Sequence, residues 1–128
     1  MNFEDEKDYI MRIIKEAVNV LFSFLLGKTY VSVEQELQNH YEVSGQDLNG
    51  FLEMIDSGDI NEAENNLLTN MNYQDKHEVL AASLFYHYVS EKDSRFLRQH
   101  NYSKEEALDG LQQLMKKAGY DGLTNIWE

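Results

Sequence analysis

Polar positions recur at helical spacing through the first third of the chain, and the segment Asp8–Leu26 shows the strongest pattern. At about 100° per residue, Asp8, Arg12, Lys15, Glu16, Asn19 and Ser23 form a single stripe. Tyr9, Ile10, Met11, Ile13, Ile14, Ala17, Val18, Val20, Leu21, Phe22, Phe24 and Leu25 occupy the rest of the circumference. A helix with so narrow a polar stripe must be covered on most sides, by its own domain, a second copy or a membrane surface. The pattern makes it the element around which the chain is expected to organise. It should begin near Glu4 or Asp5, where acids suit the positive end of a helix dipole, and stop at Gly27. Asp8–Arg12 and Arg12–Glu16 are spaced as i, i+4 ion pairs along the stripe.

Further helices are marked by caps and by apolar residues three and four apart. Ser32 with Gln35 is a capping box, opening a short polar helix that ends near Tyr41 and anchors on Leu37 and Tyr41. Ser44 with Asp47 marks the next start, followed by Leu48, Phe51, Leu52 and Ile55 and closed by Gly58. Asp59 with Glu62 starts a helix whose buried edge is Ile60, Ala63, Leu67 and Met71. A fifth helix runs from Asn72 or Tyr73 to about Ser90, with a polar stripe of Lys76, Ser83, His87 and Ser90. After a short turn at Ser94–Gln99, Ser103 and Glu106 cap a last helix with Ala107, Leu108, Leu111, Leu114, Met115 and Ala118 on one face and Gly119 at its end. Trp127 is expected to dock back on the bundle, since a free indole would forgo its burial. No strand alternation stands out. The predicted fold is all-α, a compact bundle of about five to six antiparallel helices in one domain: a long apolar helix over residues 1–28 and a helical-hairpin bundle over 32–128.

Composition narrows the picture further. The 128 residues include six Phe, eight Tyr and one Trp, enough for a core. With no proline, helices must be stopped by glycine, asparagine or side-chain caps. With no cysteine, disulfides, thiol nucleophiles and thiolate metal sites are excluded, in keeping with a reducing cytoplasmic setting.

Charge is unevenly placed. The net charge is −12, and residues 31–78 hold 11 acids against Lys76 alone. That middle repels phosphate backbones, so nucleic acid is not an expected partner. Glu4, Asp5 and Glu6 stand where a secretion signal would carry positive charge. The apolar run from Ala17 is too short, and its N-terminal flank too charged, to span a bilayer. A soluble protein is expected.

The segment MIDSGDINEAENNLL, Met54 to Leu68, resembles a tetratricopeptide-type turn. In such a repeat a glycine closes the first helix and an alanine five residues later lets the helices approach. Gly58 and Ala63 have that spacing, and Leu67 sits where a bulky apolar residue is usual. The resemblance implies a helical hairpin near residues 45–71. It does not extend to a solenoid, which needs three or more stacked repeats. The opening DYIMRIIK (Asp8–Lys15) and LLGK (Leu25–Lys28) are similar to an uncharacterised bacterial family of small all-helical proteins, best represented in Gram-positive anaerobes. That resemblance implies a helical fold and no activity, cofactor or catalytic residue.

Candidate chemistry is sparse. His40, His77, His87 and His100 form no HExxH pair, and none has a glutamate three residues before it. His87, on a stripe with Ser83 and between Tyr86 and Tyr88, is the one of interest, and a surface or core-edge histidine is the plainer reading. Asp56, Asp59, Glu62 and Glu64 surround one interhelical turn and could pair as acid and base or hold a cation; capping and solvation explain Asp59 and Glu62 without a ligand. Arg95 and Arg98 sit among aromatics in RFLRQHNY, a thin basis for nucleic-acid binding, and such arginines commonly fork to a neighbouring carboxylate. No phosphate-binding, dinucleotide or nucleophile-elbow motif is present, so neither a cofactor nor a metal is expected.

The favoured function is a helical protein-interaction or scaffold module, self-associating as a homodimer through Ile10, Ile14, Val18, Leu21, Phe22 and Leu25. The alternative is peripheral docking of the same helix on a membrane or membrane protein, although its few bases make a poor lipid binder. An enzyme with an acidic or histidine-containing cleft ranks third. On the dimer reading, glutamate at Phe22 and Leu25 splits a dimer seen by sedimentation; a monomer near 15 kDa counts against it.

Overall fold

A computed structural model describes residues 3–123, with side chains placed from Asp8 onward. Among them the elements run α1 (Phe3–Leu26), α2 (Val33–Glu36), β1 (Glu42–Val43), β2 (Gln46–Asp47), α3 (Leu48–Asp56), α4 (Ile60–Thr69), α5 (Lys76–Ser90), α6 (Ser94–Gln99) and α7 (Lys104–Ala118). A one-turn 3₁₀ segment, Asp121–Leu123, follows. The all-α bundle is confirmed; Trp127 lies outside the described residues.

The hub is α5 and not α1. Val79–His87, Val89 and Ser90 are all buried, eleven of its fifteen residues. Helices α1, α3 and α7 pack on it, as do α2 and β1. Ser83, His87 and Ser90, expected on a polar stripe, are inside with the rest. Burying a hydroxyl requires a partner, and each serine finds one in its own helix: Ser83 Oγ donates to Leu80 O and Ser90 Oγ to His87 O, both at 2.7 Å. A hydroxyl satisfied by the preceding turn needs no water, which is why these serines do not mark a surface.

Helix α1 lies against α5 and α7 along one face. Ile14, Ala17, Val18, Leu21 and Phe22 are fully buried, while Ile10, Leu25 and Leu26 close the margin. Its outer side keeps Tyr9 and Phe24 at 57% and 61% exposure, so the helix is covered on one side and not on three. Phe22 carries the aromatic packing beyond it, with ring centres 5.0 Å from Tyr30 and 6.4 Å from Tyr41. Arg12 pairs with neither Asp8 nor Glu16 among the described residues.

Several caps form as their sequences predict. Ser32 Oγ accepts from Gln35 N and Ser103 Oγ from Glu106 N, while Gly119 ends α7 in the left-handed region. Three starts differ. Ser44 is not a cap: with Gly45 it makes the two-residue turn of a tiny antiparallel hairpin, both residues at positive φ, pairing Glu42 with Asp47 and Val43 with Gln46. Asp47 then caps α3 through Asn49 N. Asp59 precedes α4 but its side chain accepts no backbone hydrogen bond. Helix α5 begins at Lys76, because Asp75 accepts from His77 N and Glu78 N, while Asn72 folds its own turn by accepting from Gln74 N. The second helix is a single turn, held by buried Val33 with Tyr41 beyond its end, and Leu37 is half-buried.

Gly58, Ala63 and Leu67 stand at the α3–α4 hairpin, with Ala63 and Leu67 fully buried. Gly58 faces the His100 ring so closely that a Cβ would overlap it. Gly110 on α7 gives the same clearance to the Tyr86 ring of α5. Alanine there gains up to about 1 kcal/mol in helix propensity but must displace a fully buried tyrosine, at a cost of about 1–3 kcal/mol. Gly110→Ala is therefore expected to lower the urea midpoint, and an unchanged or raised midpoint would mean that α5 and α7 can separate freely.

Candidate functional site

His87 is placed by the last turn of α5, under the loop that leaves α1. It is 4% exposed, and its Nδ1 lies 2.5 Å from the Tyr30 hydroxyl. Burial and nearby carboxylates, Glu91 first among them, push the Tyr30 phenol well above its ordinary range, so it keeps its proton. Burial, aided by Lys15, pushes the His87 imidazole down to about 4, so it is neutral at physiological pH. A protonated phenol beside a neutral imidazole assigns the hydrogen bond: Tyr30 donates to Nδ1, and Nε2 carries the ring proton. Nε2 stands 3.8 Å from Glu91 Oε1, beyond hydrogen-bond range.

That side of the ring meets a cleft of about 600 Å³ lined by Asp8, Met11, Arg12, Lys15, His87 and Glu91. A second cleft, about 660 Å³, adjoins it across Asp8, Met11 and Glu91 and extends over the start of α6 to Lys92, Asp93, Arg95, Phe96, Arg98 and Lys104. Together they form one trough between the first half of α1 and the α5–α6 corner. Six of the chain's eleven bases line it, against three of its 23 acids.

Several of these charges already have partners. Lys104, 4% exposed, donates to Ser90 O and Lys92 O, closing the negative end of α5. Lys92 pairs with Asp56 at 2.5 Å, and Asp93 caps α6 through Arg95 N. Arg12, Lys15, Arg95 and Arg98 form no ion pair among the described residues. The two arginines of α6 thus do not fork to a neighbouring carboxylate. Of the acids, Glu91 is the one beside His87, and burial raises its pKa, with the Glu34 carboxylate adding to the shift.

The acids of the α3–α4 turn do not converge. Asp56 accepts from Tyr88 Oη at 2.8 Å and Lys92, Glu64 accepts from Tyr86 Oη at 2.7 Å, and Asp59 and Glu62 are exposed. No cluster of three or more metal-binding side chains occurs among the described residues. The other histidines stand apart: His40 bonds Glu42 at 2.7 Å on the hairpin, His77 is exposed, and His100 lies against Phe96 with ring centres 4.7 Å apart. Of the interface residues, Ile14, Val18, Leu21 and Phe22 are fully buried within the single chain, and Ile10 and Leu25 partly so. Sequence spacing did not bring Arg12 and Lys15 to His87, and the signal available was their separation from the acidic middle.

The fold and trough define a small all-α protein with a cation-lined recess. The chain belongs to the family of unknown function DUF6483, whose model matches residues 4–119. No curated protein and no solved structure matches it.

The neutral state of His87 has a consequence for stability. The unfolded histidine has a pKa near 6.5 and the folded one about 4, so between these values the unfolded chain binds more protons. Stability is full above pH 6.5 and falls as the pH drops through that window, by up to about 3 kcal/mol. His87→Asn keeps an acceptor for Tyr30 and removes the titration, so its stability should change less between pH 6.5 and 5 in urea unfolding. Parallel curves for the two proteins would show that His87 does not titrate in this way.

Proposed function

We propose that this chain is a helical binding module that holds an ionic ligand in the trough between α1 and the α5–α6 corner. The observation that carries the reading is the gathering of six bases there in a protein of net charge −12. Arg12, Lys15, Arg95 and Arg98 form no ion pair among the described residues, and the acids on the lining are fewer than the bases, so a bound anionic group adds counter-charge. Recognition suits His87 better than proton transfer, since an imidazole with a pKa of about 4 is a weak base at neutral pH.

On this reading α1 is not a dimer interface or a membrane anchor. Its apolar face is covered by α5 and α7, and four buried side chains at roughly 1.5–3 kcal/mol each hold it there. Among the described residues no helix is long and apolar enough to cross a membrane. Among the described residues the large apolar side chains left exposed are Tyr9, Phe24 and Val31, few for a standard interface.

The protein is expected to sediment as a monomer near 15 kDa, and Phe22→Glu to unfold it. A stable dimer that Phe24→Glu converts to folded monomer would return α1 to the role of interface. In a thermal-shift survey of charged metabolites and peptides, the stabilising compounds should lose their effect with Arg12→Glu or Arg98→Glu. Stabilisation that survives both changes, or none at all, would remove the trough as the binding site.

A further inference from the structure

Four cations and one neutral donor converge on the trough from three elements. Arg12 and Lys15 stand one turn apart on α1, Arg95 and Arg98 one turn apart on α6, and His87 forms part of the floor from α5. The His87 side chain is more than nine-tenths buried, its Nδ1 is held by Tyr30, and among the described residues its Nε2 proton reaches no partner within hydrogen-bond distance. The Nε2 N–H is not sealed from solvent, and in the cleft an arriving ligand oxygen can take the place of water on it.

The acids on the lining set the sign of the ligand. Six bases face Asp8, Glu91 and Asp93, and with Lys92 paired to Asp56 the remaining five leave an excess of two positive charges. We infer that the trough is a binding site for a small organic dianion whose oxyanion group, a phosphate monoester or one carboxylate of a dicarboxylate, is held by Arg12 and Lys15 and accepts a hydrogen bond from Nε2 of His87. This rests on the binding-module reading above and names the ligand class for it.

Arginine suits either group, because its planar fork of donors matches two oxygens at once. A neutral imidazole N–H adds a directed donor that salt does not screen, whereas the exposed cations are weakened by it. The second cleft is large enough for the rest of a small molecule, and the Arg95–Arg98 pair takes a second negative group there. The half-buried Phe96 and Met11 give it an apolar wall.

The test is an isothermal titration of the whole protein with phenyl phosphate, succinate and spermidine, repeated on variants and followed by the imidazole signals of His87. At least one dianion should bind and shift the His87 nitrogen resonances. Arg12→Ala should weaken either dianion about tenfold or more, the cost of a lost charge-assisted contact, and Arg98→Ala should do the same to succinate, which has a second anionic group. Lys116→Ala, an exposed base outside both clefts, should leave affinity unchanged. Phenyl phosphate against succinate separates the two oxyanion sources. Dianion binding that ignores the arginine changes, or leaves His87 unmoved, overturns the assignment. Spermidine binding lost with Asp8→Asn or Glu91→Gln, with no dianion bound, overturns the ligand class and keeps the binding module. Binding of none of the three overturns the dianion and weighs against the module as well.

Discussion

Burial of α5 on almost every side is the constraint from which the other positions follow. A fifteen-residue helix with eleven buried residues must be surrounded, and α1, α3 and α7 do this with the short elements between them. The close seat of Tyr86 on Gly110 fixes how near α7 can come. The Phe22–Tyr30–His87 series of rings carries the packing from α1 across the connecting loop to the end of α5. Because the helix is inside, its polar residues are inside too, and each has to be satisfied. Ser83 and Ser90 bond their own helix, and His87 bonds Tyr30.

The trough is a by-product of that same closure. Where α5 ends, Lys104 covers its last carbonyls, and the chain turns through Asp93 into α6. The corner brings α6 opposite the first half of α1, so bases separated by about eighty positions in the chain come to line one recess. Electrostatics then works against the overall charge: the protein is acidic, but the acids concentrate in residues 31–78 while the recess draws on the chain outside them. Lys15 contributes twice, as a wall of the cleft and as a charge that helps keep His87 neutral.

The all-α class, the helix stops at Gly27, Gly58 and Gly119, and the caps at Ser32 and Ser103 were legible in the sequence because each depends on residues within a few positions. Apolar spacing also picked out Leu48, Phe51, Leu52 and Ile55 and the buried edge of α4, since a helix buried on one face writes its period into the chain. The hairpin at Ser44–Gly45 was missed because two residues per strand are too few for alternation to register. The rank of α1 over α5 was misread for a related reason. A nearly continuous apolar surface says only that cover is needed, and α1 leaves Tyr9 and Phe24 outside while α5 takes even its serines and a histidine inside.

Local sequence therefore determined which segments are helical, where most of them stop, and that charge is divided unevenly along the chain. Tertiary structure alone decided which helix is central, that the α1 residues Ile14, Val18, Leu21 and Phe22 are buried within the single chain, and that Arg12, Lys15, His87, Arg95 and Arg98 share one recess. The physical reason is range. Capping and helical period act over one or two turns, whereas burial of a polar group and convergence of charges depend on which distant surface arrives to cover it.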